Sequence, residues 1–408
     1  MDYMRRCGLD ALVATSPANV TYFSDYHCWI DSVFKEYMMR PGASSDRMHT
    51  YVVLPLHGEP ALVIDPLLAV NATDVWVQDL QVHGKPGLHE AMAPVSTTDV
   101  DRRMRTVLEK SESNSTSTGA LINALKARGL KAARIGLEME GLPAHVSSEI
   151  REALPQITMA DCTNLMRLIR MVKSKEEISR LTRAAQIAEQ AAVEALSLAR
   201  SGVSIADLVQ HYRAQVAGAG ADFEHFAYSV RGWGISVESN YQLTDADVLY
   251  VDYGCIYNHY YSDTGTTLAM RDPKADVADI FTALRECMDA GIAAIRPGVK
   301  VSGVQQVMQA TLGQRGIKDA FPHGHGLGLE VRDYPILVPD TQLRIRDDCV
   351  DEASDLPLEV DMVFNLEAPV FIPGIGGLHI EQTFVVTADG CRPLVEQKRD
   401  FPFVPGEG

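Results

Sequence analysis

The chain has 408 residues, 37 Lys+Arg against 54 Asp+Glu, and a formal net charge of −17. The acidic balance and the lack of any basic stripe argue against a nucleic-acid partner, and no run of 18 apolar residues exists to span a membrane. The apolar share of 46 % with 22 % charged residues is that of an ordinary globular protein, and at roughly 150 residues per domain the length predicts two domains or three. The N-terminus, MDYMRRCGLDALVATS, has no apolar segment followed by a cleavage site, so no secretory signal is expected. Seven widely spaced cysteines without a C-x-x-C exclude a finger-type zinc site and suggest free thiols in a reducing cytoplasm.

Ala11–Thr15 and Tyr51–Leu54 read as buried strands, and Gly58-Glu59-Pro60 punctuates a hairpin before a third at Ala61–Ile64. The stretch Asp25–His49 is a long polar and aromatic loop, of the kind that carries function or disorder. Lys110–Gly119 (KSESNSTSTG) reads as a polar linker, and Arg134–Leu137 as another strand. A clear helix starts near Ser174. There Ser174 and Glu177 form a capping box before an apolar set at helical spacing, and Gly202 ends it. The domain boundary is placed between 165 and 166, within the window from Asp161 to Ser174. Further on, helices are expected at Ile205–Ala217, Ala275–Ile295 and Val304–Arg315, and strands at Val248–Tyr253, Met362–Leu366 and Leu378–Val386, an α+β pattern.

Four places set acid or imidazole groups at strand ends and Gly-rich turns. They are Val251-Asp252-Tyr253-Gly254, Tyr261-Ser262-Asp263-Thr264, His323-Gly324-His325-Gly326-Leu327-Gly328, and Asn365-Leu366-Glu367 with His379-Ile380-Glu381. Asp252 alone reads as a turn residue beside Gly254. Asp263 follows eleven residues later. On one straight strand that odd separation opposes the two acids, whereas a hairpin brings both to one side. Glu367 and Glu381 stand in apolar stretches, where an acid is either exposed at an edge or paired inside. A metal ion is the most compact partner for buried carboxylates. His325, set between glycines, offers a nitrogen, and His323 competes for that role. Four acids and one imidazole form a hard, oxygen-rich set that allows Mn, Co, Fe or Zn. Five ligands exceed what one catalytic zinc takes from protein, so two ions sharing bridging carboxylates fit better. Such a pair activates water and polarises a substrate oxygen.

In this order the segments resemble the metallopeptidase family of methionine aminopeptidase, aminopeptidase P, prolidase and creatinase (family M24), the pita-bread fold. Lys173-Ser174-Lys175-Glu176-Glu177-Ile178 resembles the start of its catalytic domain, and Asp252, Asp263, His325-Gly326-Leu327-Gly328-Leu329-Glu330-Val331, Glu367 and Glu381 match its metal pattern. The resemblance implies an α+β chain with a smaller N-terminal α/β creatinase-type domain (1–165) and a C-terminal pita-bread catalytic domain (166–408). It also implies two divalent ions, with manganese first and Co, Zn or Fe as alternatives, and a homodimer. By the same resemblance Asp252 binds one ion, His325 with Glu367 the other, and Asp263 and Glu381 bridge.

The pattern also departs from the family. Its peptidases carry a His seven residues after the ligand His, where this chain has Arg332, and another upstream of the first ligand Asp. Here the upstream stretch reads Arg231-Gly232-Trp233-Gly234-Ile235-Ser236-Val237-Glu238-Ser239, with no His between Phe226 and Asp252. Thr266 and His379 stand where arginines are usual. Arg332 is able to bind a carboxylate but not to shuttle protons; its bland alternative is a surface pairing with Asp333. Arg231 and Arg332, with Trp233 and Trp29, suggest a small substrate with a carboxylate and a flat or apolar body, and His379 joins them as a substrate-binding candidate. The leading expectation is a dinuclear hydrolase of a C–N bond, Xaa-Pro dipeptidase-like or a divergent amidohydrolase, with Glu367 as proton acceptor and Arg332 and Asp333 assisting. Alternatives are a metal-dependent lyase of the dimethylsulfoniopropionate-cleaving type, with Asp333, Tyr253 or Tyr334 as base, and a non-catalytic binding module.

Overall fold

The computed structural model describes residues 1–29, 33–39, 41–43, 49–84, 98–109, 114–237, 240–402 and 404. The chain divides into two compact units, Met1–Ile169 with Ile345–Asp351, and Arg170–Arg344 with Glu352–Gly408. The short return of Ile345–Asp351 to the first unit is a discontinuity that a single cut near residue 165 does not foresee. Among the described residues no helix is long and apolar enough to cross a membrane.

The first unit is built on a six-stranded mixed sheet in the order Asp79–Val82, Ala61–Ile64, Tyr51–Pro55, Ala11–Ala14, Arg134–Leu137, Thr158–Asp161. Its strands Ala11–Ala14, Tyr51–Pro55 and Ala61–Ile64 read as apolar runs because both faces are covered. Leu12, Val52, Leu62 and Ile64 pack into one core, while Val13, Tyr51, Val53 and Val63 pack into another with the helices Ser117–Ala127 and Ala144–Ala153. The expected linker at Lys110–Gly119 is corrected in part. Residues 110–113 lie outside the described residues, and the last three begin a helix because the Thr116 hydroxyl accepts the Gly119 N–H at 3.0 Å. The expected loop Asp25–His49 holds a short helix, Glu36–Met39; residues 30–32, 40 and 44–48 of it lie outside the described residues.

The second unit carries a ten-stranded sheet. Its main path runs Asp333–Leu337, Gly324–Gly326, Val363–Ile372, Gly376–Val386, Thr264–Ala269, Val248–Tyr257, Asp222–Ser229, Ile235–Ser236. The long helix Lys175–Leu196 begins with the capping box formed by Ser174 and Glu177. It ends at Leu196, before the expected stop at Gly202, which instead serves the next turn at φ +84°. Ile205–Gly218 follows, then Ala275–Ala294 and Val301–Gln314. Strand alternation decides the chemistry of the two sheet faces. Leu249, Val251, Tyr253 and Cys255 pack with Ala184, Ala188 and Tyr212 of the helices. Tyr250, Asp252 and Gly254 therefore take the opposite face. All seven cysteines are free; Cys255 is buried in this core, and burial pushes its thiol up to about 11.

Candidate metal centre

Sheet register assembles the acids. Asp252 stands opposite Gly265, Gly265 opposite Glu381, and Glu381 opposite Glu367, from which a bridge leads on to His323. Directly opposed residues share a face, so three carboxylates form one cross-strand row with a glycine as the gap between them. Asp263 stands two residues before Gly265 and joins the row. The hairpin between the two aspartates is real. Tyr257 pairs with Tyr260, and Asn258 and His259 fill a two-residue turn at φ +45° and +72°, the primed geometry that matches strand twist.

The donor atoms fall into three groups, each within 4.8 Å: His225, Asp252 and Asp263; Asp263, His325 and Glu381; Glu367, His379 and Glu381. Neighbouring groups share Asp263 and Glu381. His325 Nε2 lies 3.2 Å from Asp263 Oδ2, and its Nδ1 lies 3.1 Å from the Gly326 carbonyl. Asn365 fixes the imidazole: its Oδ1 accepts the His325 backbone N–H at 2.7 Å, and its amide donates to His325 Nε2 at 3.0 Å and to Glu381 Oε1. His323 faces Glu367 Oε1 at 2.9 Å and belongs to none of these groups among the described residues. His325 is thus the better-placed nitrogen of the two.

The electrostatics are those of a site short of positive charge. Burial, then the charges of Asp263, Asp252 and Glu367, push the Glu381 carboxyl well above the ordinary range. Burial and the Asp252 charge push Asp263 up to about 6. At the row's ends the balance reverses. Burial opposes ionisation of Asp252, but the His225 hydrogen bond and charge hold its carboxyl down. Likewise His323 and His379 hold Glu367 well below the usual range against burial. Glu381 Oε2 and His379 Nε2 are buried with no hydrogen-bond partner among the described residues. Orphaned buried donors and acceptors are costly, and a pair of divalent cations satisfies both the charge and the open valences. The residues therefore fit the two ions expected from the acid pattern.

Comparison with known proteins agrees. The profile of metallopeptidase family M24 matches residues 179–388, and that of the creatinase/prolidase N-terminal domain matches residues 1–172. The chain belongs to metallopeptidase family M24. Peptidases of this family are dinuclear metalloenzymes, and the chain is a metal-dependent hydrolase with a creatinase-type N-terminal part and a pita-bread C-terminal part. An uncharacterized peptidase of Staphylococcus aureus (strain USA300) is 25 % identical over 274 residues, covering 64 % of this chain and 73 % of the relative. In fold the chain is similar to an X-Pro aminopeptidase from Thermotoga maritima (TM-score 0.74, 19 % identity, 99 % of this chain and 100 % of that one). It is also similar to an Xaa-Pro dipeptidase from Bacillus anthracis (TM-score 0.73, 20 % identity, 99 % of each chain).

Against the M24 pattern, the remaining candidates take distinct places. Arg332 is 61 % exposed at its side chain, with Nη2 3.6 Å from Glu367 Oε1, and so stands at the rim of the acid row. Asp333, expected as a base, is instead buried in an ion pair: Oδ2 lies 3.1 Å from Arg170 Nη2, and Oδ1 accepts the Tyr334 N–H at 2.9 Å. Its carboxylate faces that buried arginine and not the acid row. His379, expected on the substrate, is fully buried and faces Glu367 and Glu381, which sets it among the ligand atoms. Arg231 donates to the Gly374 carbonyl at 2.5 Å, and Trp233 beside it is 77 % exposed. Trp29 belongs to the first unit, with its ring edge-on to Phe34.

Three contributors lie outside the segments that the sequence singles out, His225, Glu224 and Tyr250, and Asn365 lies inside one of them without a role assigned. Asp222–Ser229 was not expected as a strand, and His225 sits one residue before the stretch searched for an upstream His. The available signal was glycine inside a strand, which marks close approach. A Cβ on Gly254 would meet the His225 ring at 2.8 Å, and one on Gly265 would meet His379 Nδ1 at 2.2 Å.

Proposed function

We propose that the chain is a two-metal hydrolase that cleaves a C–N bond in a small substrate bearing a carboxylate. Xaa-Pro dipeptides and divergent amides are the substrate classes to test. The observation that carries this reading is the register row Asp252, Gly265, Glu381, Glu367 with Asp263, which sets four carboxylates on one sheet face. Asp252, Asp263, His325, Glu367 and Glu381 would hold the two ions. Manganese is the first to try, then cobalt, zinc and iron. When bound, the ions supply an activated water and polarise the scissile carbonyl.

The protein's own residues do the rest. Glu367, held ionised by the imidazoles beside it, is suited to holding a cation; the same hold makes it a weak proton acceptor until those imidazoles are engaged elsewhere. Asn365 fixes both His325 and Glu381, so the row is pre-organised. Arg332 stands at the rim, where its planar guanidinium would orient a substrate carboxylate. Arg231 and Trp233 are proposed to border the substrate, with the exposed face of Trp233 laid on an apolar body. Hydrolysis is favoured over elimination because two of the three bases a lyase would use are engaged elsewhere. Asp333 is paired with Arg170, and the buried Tyr253 hydroxyl donates to Glu189 at 2.9 Å. A homodimer of the 44.7 kDa chain is the expected assembly, to be checked by light scattering.

The test is a screen of Mn-, Co- and Zn-loaded protein in H₂¹⁸O against proline dipeptides, N-acyl amino acids, aminobenzoates and dimethylsulfoniopropionate. A hydrolase places ¹⁸O in the acid product. Turnover without label would show elimination, and no turnover with any member would remove the substrate class.

A further inference from the structure

After the five ligands of the M24 pattern are assigned, two imidazoles remain on the same sheet face, one at each end of the row. His225 Nε2 lies 2.8 Å from Asp252 Oδ1 and 3.4 Å from Asp263 Oδ1, and its Nδ1 is held by the Glu224 carboxylate. His379 Nε2 lies 3.5 Å from Glu367 Oε2 and 3.7 Å from Glu381 Oε2, and its Nδ1 faces the Val251 carbonyl at 3.3 Å. Its ring is stacked on Tyr250 with centroids 4.1 Å apart and an interplanar angle of 12°, so it cannot swing away without losing that contact. Each ring occupies space that a glycine vacates, Gly254 beneath His225 and Gly265 beneath His379.

Two physical features distinguish these rings from packing residues. First, each has its outer nitrogen turned to an oxygen acceptor and its inner nitrogen turned to carboxylates. Metal-ligating histidines use that arrangement, in which the acceptor fixes the tautomer and aims the other lone pair. A lone pair aimed at two carboxylates is repulsive unless a proton or a metal cation stands between them; at His225 either would serve, and His379 Nε2 has no hydrogen-bond partner among the described residues. Second, the spacing suits coordination. Donors bound at about 2.1 Å to one divalent ion stand about 3 Å apart at right angles, and the separations at His225 bracket that value.

We propose that His225 and His379 are additional nitrogen ligands, so that this chain holds its two cations with three imidazoles where the five-ligand pattern supplies one. His225 joins Asp252 and Asp263 at one end, His379 joins Glu367 and Glu381 at the other, and His325 stands between them. Imidazole favours zinc, iron and their neighbours, whereas all-oxygen sites favour manganese. Three nitrogens beside four carboxylates therefore shift the preference from manganese toward zinc or cobalt. This inference rests on the two-metal reading above.

The test is zinc binding by the full-length protein, followed by X-ray absorption, which counts imidazoles from their ring scattering. Two zincs sharing three imidazoles are expected in the wild type, two imidazoles in H225Q or H379Q, and one in the double variant. Each single variant should also weaken zinc binding about tenfold or more by calorimetry. Two zincs sharing a single imidazole in the wild type would overturn the inference and leave the two-metal reading intact, and that measurement needs no variant. Tighter zinc binding by H225Q would also overturn it, since His225 would then be a charge competing with the metal. Failure of the wild type to bind zinc, cobalt or manganese at all would sink the underlying reading itself.

Discussion

Glu138 in the first unit and Glu381 in the second are both 1 % exposed, yet they are supplied very differently. Glu138 Oε2 accepts the backbone N–H groups of Thr15 at 2.7 Å and Ser16 at 2.9 Å, and its Oε1 accepts the Asn19 amide at 2.6 Å. Those donors pin the start of the helix Pro17–Ser24 to the end of a strand. Glu381 has one donor, Asn365, an Oε2 with no partner among the described residues, and three other carboxylates facing it. A buried carboxylate surrounded by donors is a structural joint. One surrounded by other carboxylates is destabilising as it stands and keeps its place because something positive binds there.

Exchanging each glutamate for glutamine tests that contrast, and the largest effect is expected at Glu381. E381Q should lose at least one metal equivalent by elemental analysis and lower kcat/KM about a thousandfold, the loss of several kcal/mol of transition-state stabilisation. Its metal-free form should nevertheless melt at a higher temperature than metal-free wild type at neutral pH. The sign follows from linkage. A carboxyl whose folded pKa is raised adds stability at low pH and loses it as pH rises through that value. With Asp263 near 6, metal-free wild type should weaken from about pH 4 to about pH 6, and added metal should reverse the loss. E138Q should do the opposite. It should cost about 2–3 kcal/mol in denaturant melts, because charge-assisted hydrogen bonds to two backbone N–H groups are lost, while metal content stays unchanged. Equal effects of the two substitutions would break the comparison.

Lys173 sharpens it from the side of the cations. This buried ammonium donates to the Met171 carbonyl at 3.1 Å, and burial lowers it to about 8 despite the charges of Asp333 and Glu177. A base with a depressed folded pKa gains stability as pH rises from the folded value toward the unfolded one. Wild type should therefore gain on the order of 3 kcal/mol relative to K173M between about pH 8 and pH 10.5. A constant difference between the two melts across that window would show that the ammonium is well compensated after all.

The extent to which this could be read from the chain differs by level. The capping box at Ser174 and the apolar strands were legible because each is a local pattern. The five candidate ligands stand out because acids in apolar strands are conspicuous and a resemblance orders them. His225 does not, since its strand, Asp222–Ser229, is only half buried and carries Asp, Glu and His within four residues. His379 is visible as a candidate for the substrate but not as a neighbour of the acid row. Its place depends on the register of Glu381 against Gly265, which is a fact about three strands at once. Asp333 illustrates the converse: its partner Arg170 is 163 positions away in sequence, and only the fold brings them together.

The smallest effects are expected at the rim, where solvent already screens what the row does inside. R332A should raise KM about tenfold with kcat changed little, the loss of one charge-assisted contact to a substrate carboxylate. It should leave metal content and melting temperature unaltered, because the guanidinium is 61 % exposed and 3.6 Å from Glu367. An unchanged KM would strip Arg332 of any part in binding. W233A is expected to move KM by a few-fold at most and stability by less than about 0.5 kcal/mol, as for most exposed positions. If W233A instead cost as much as R332A, the apolar body of the substrate would matter as much as its charge, and the screen should turn to aromatic amides before dipeptides.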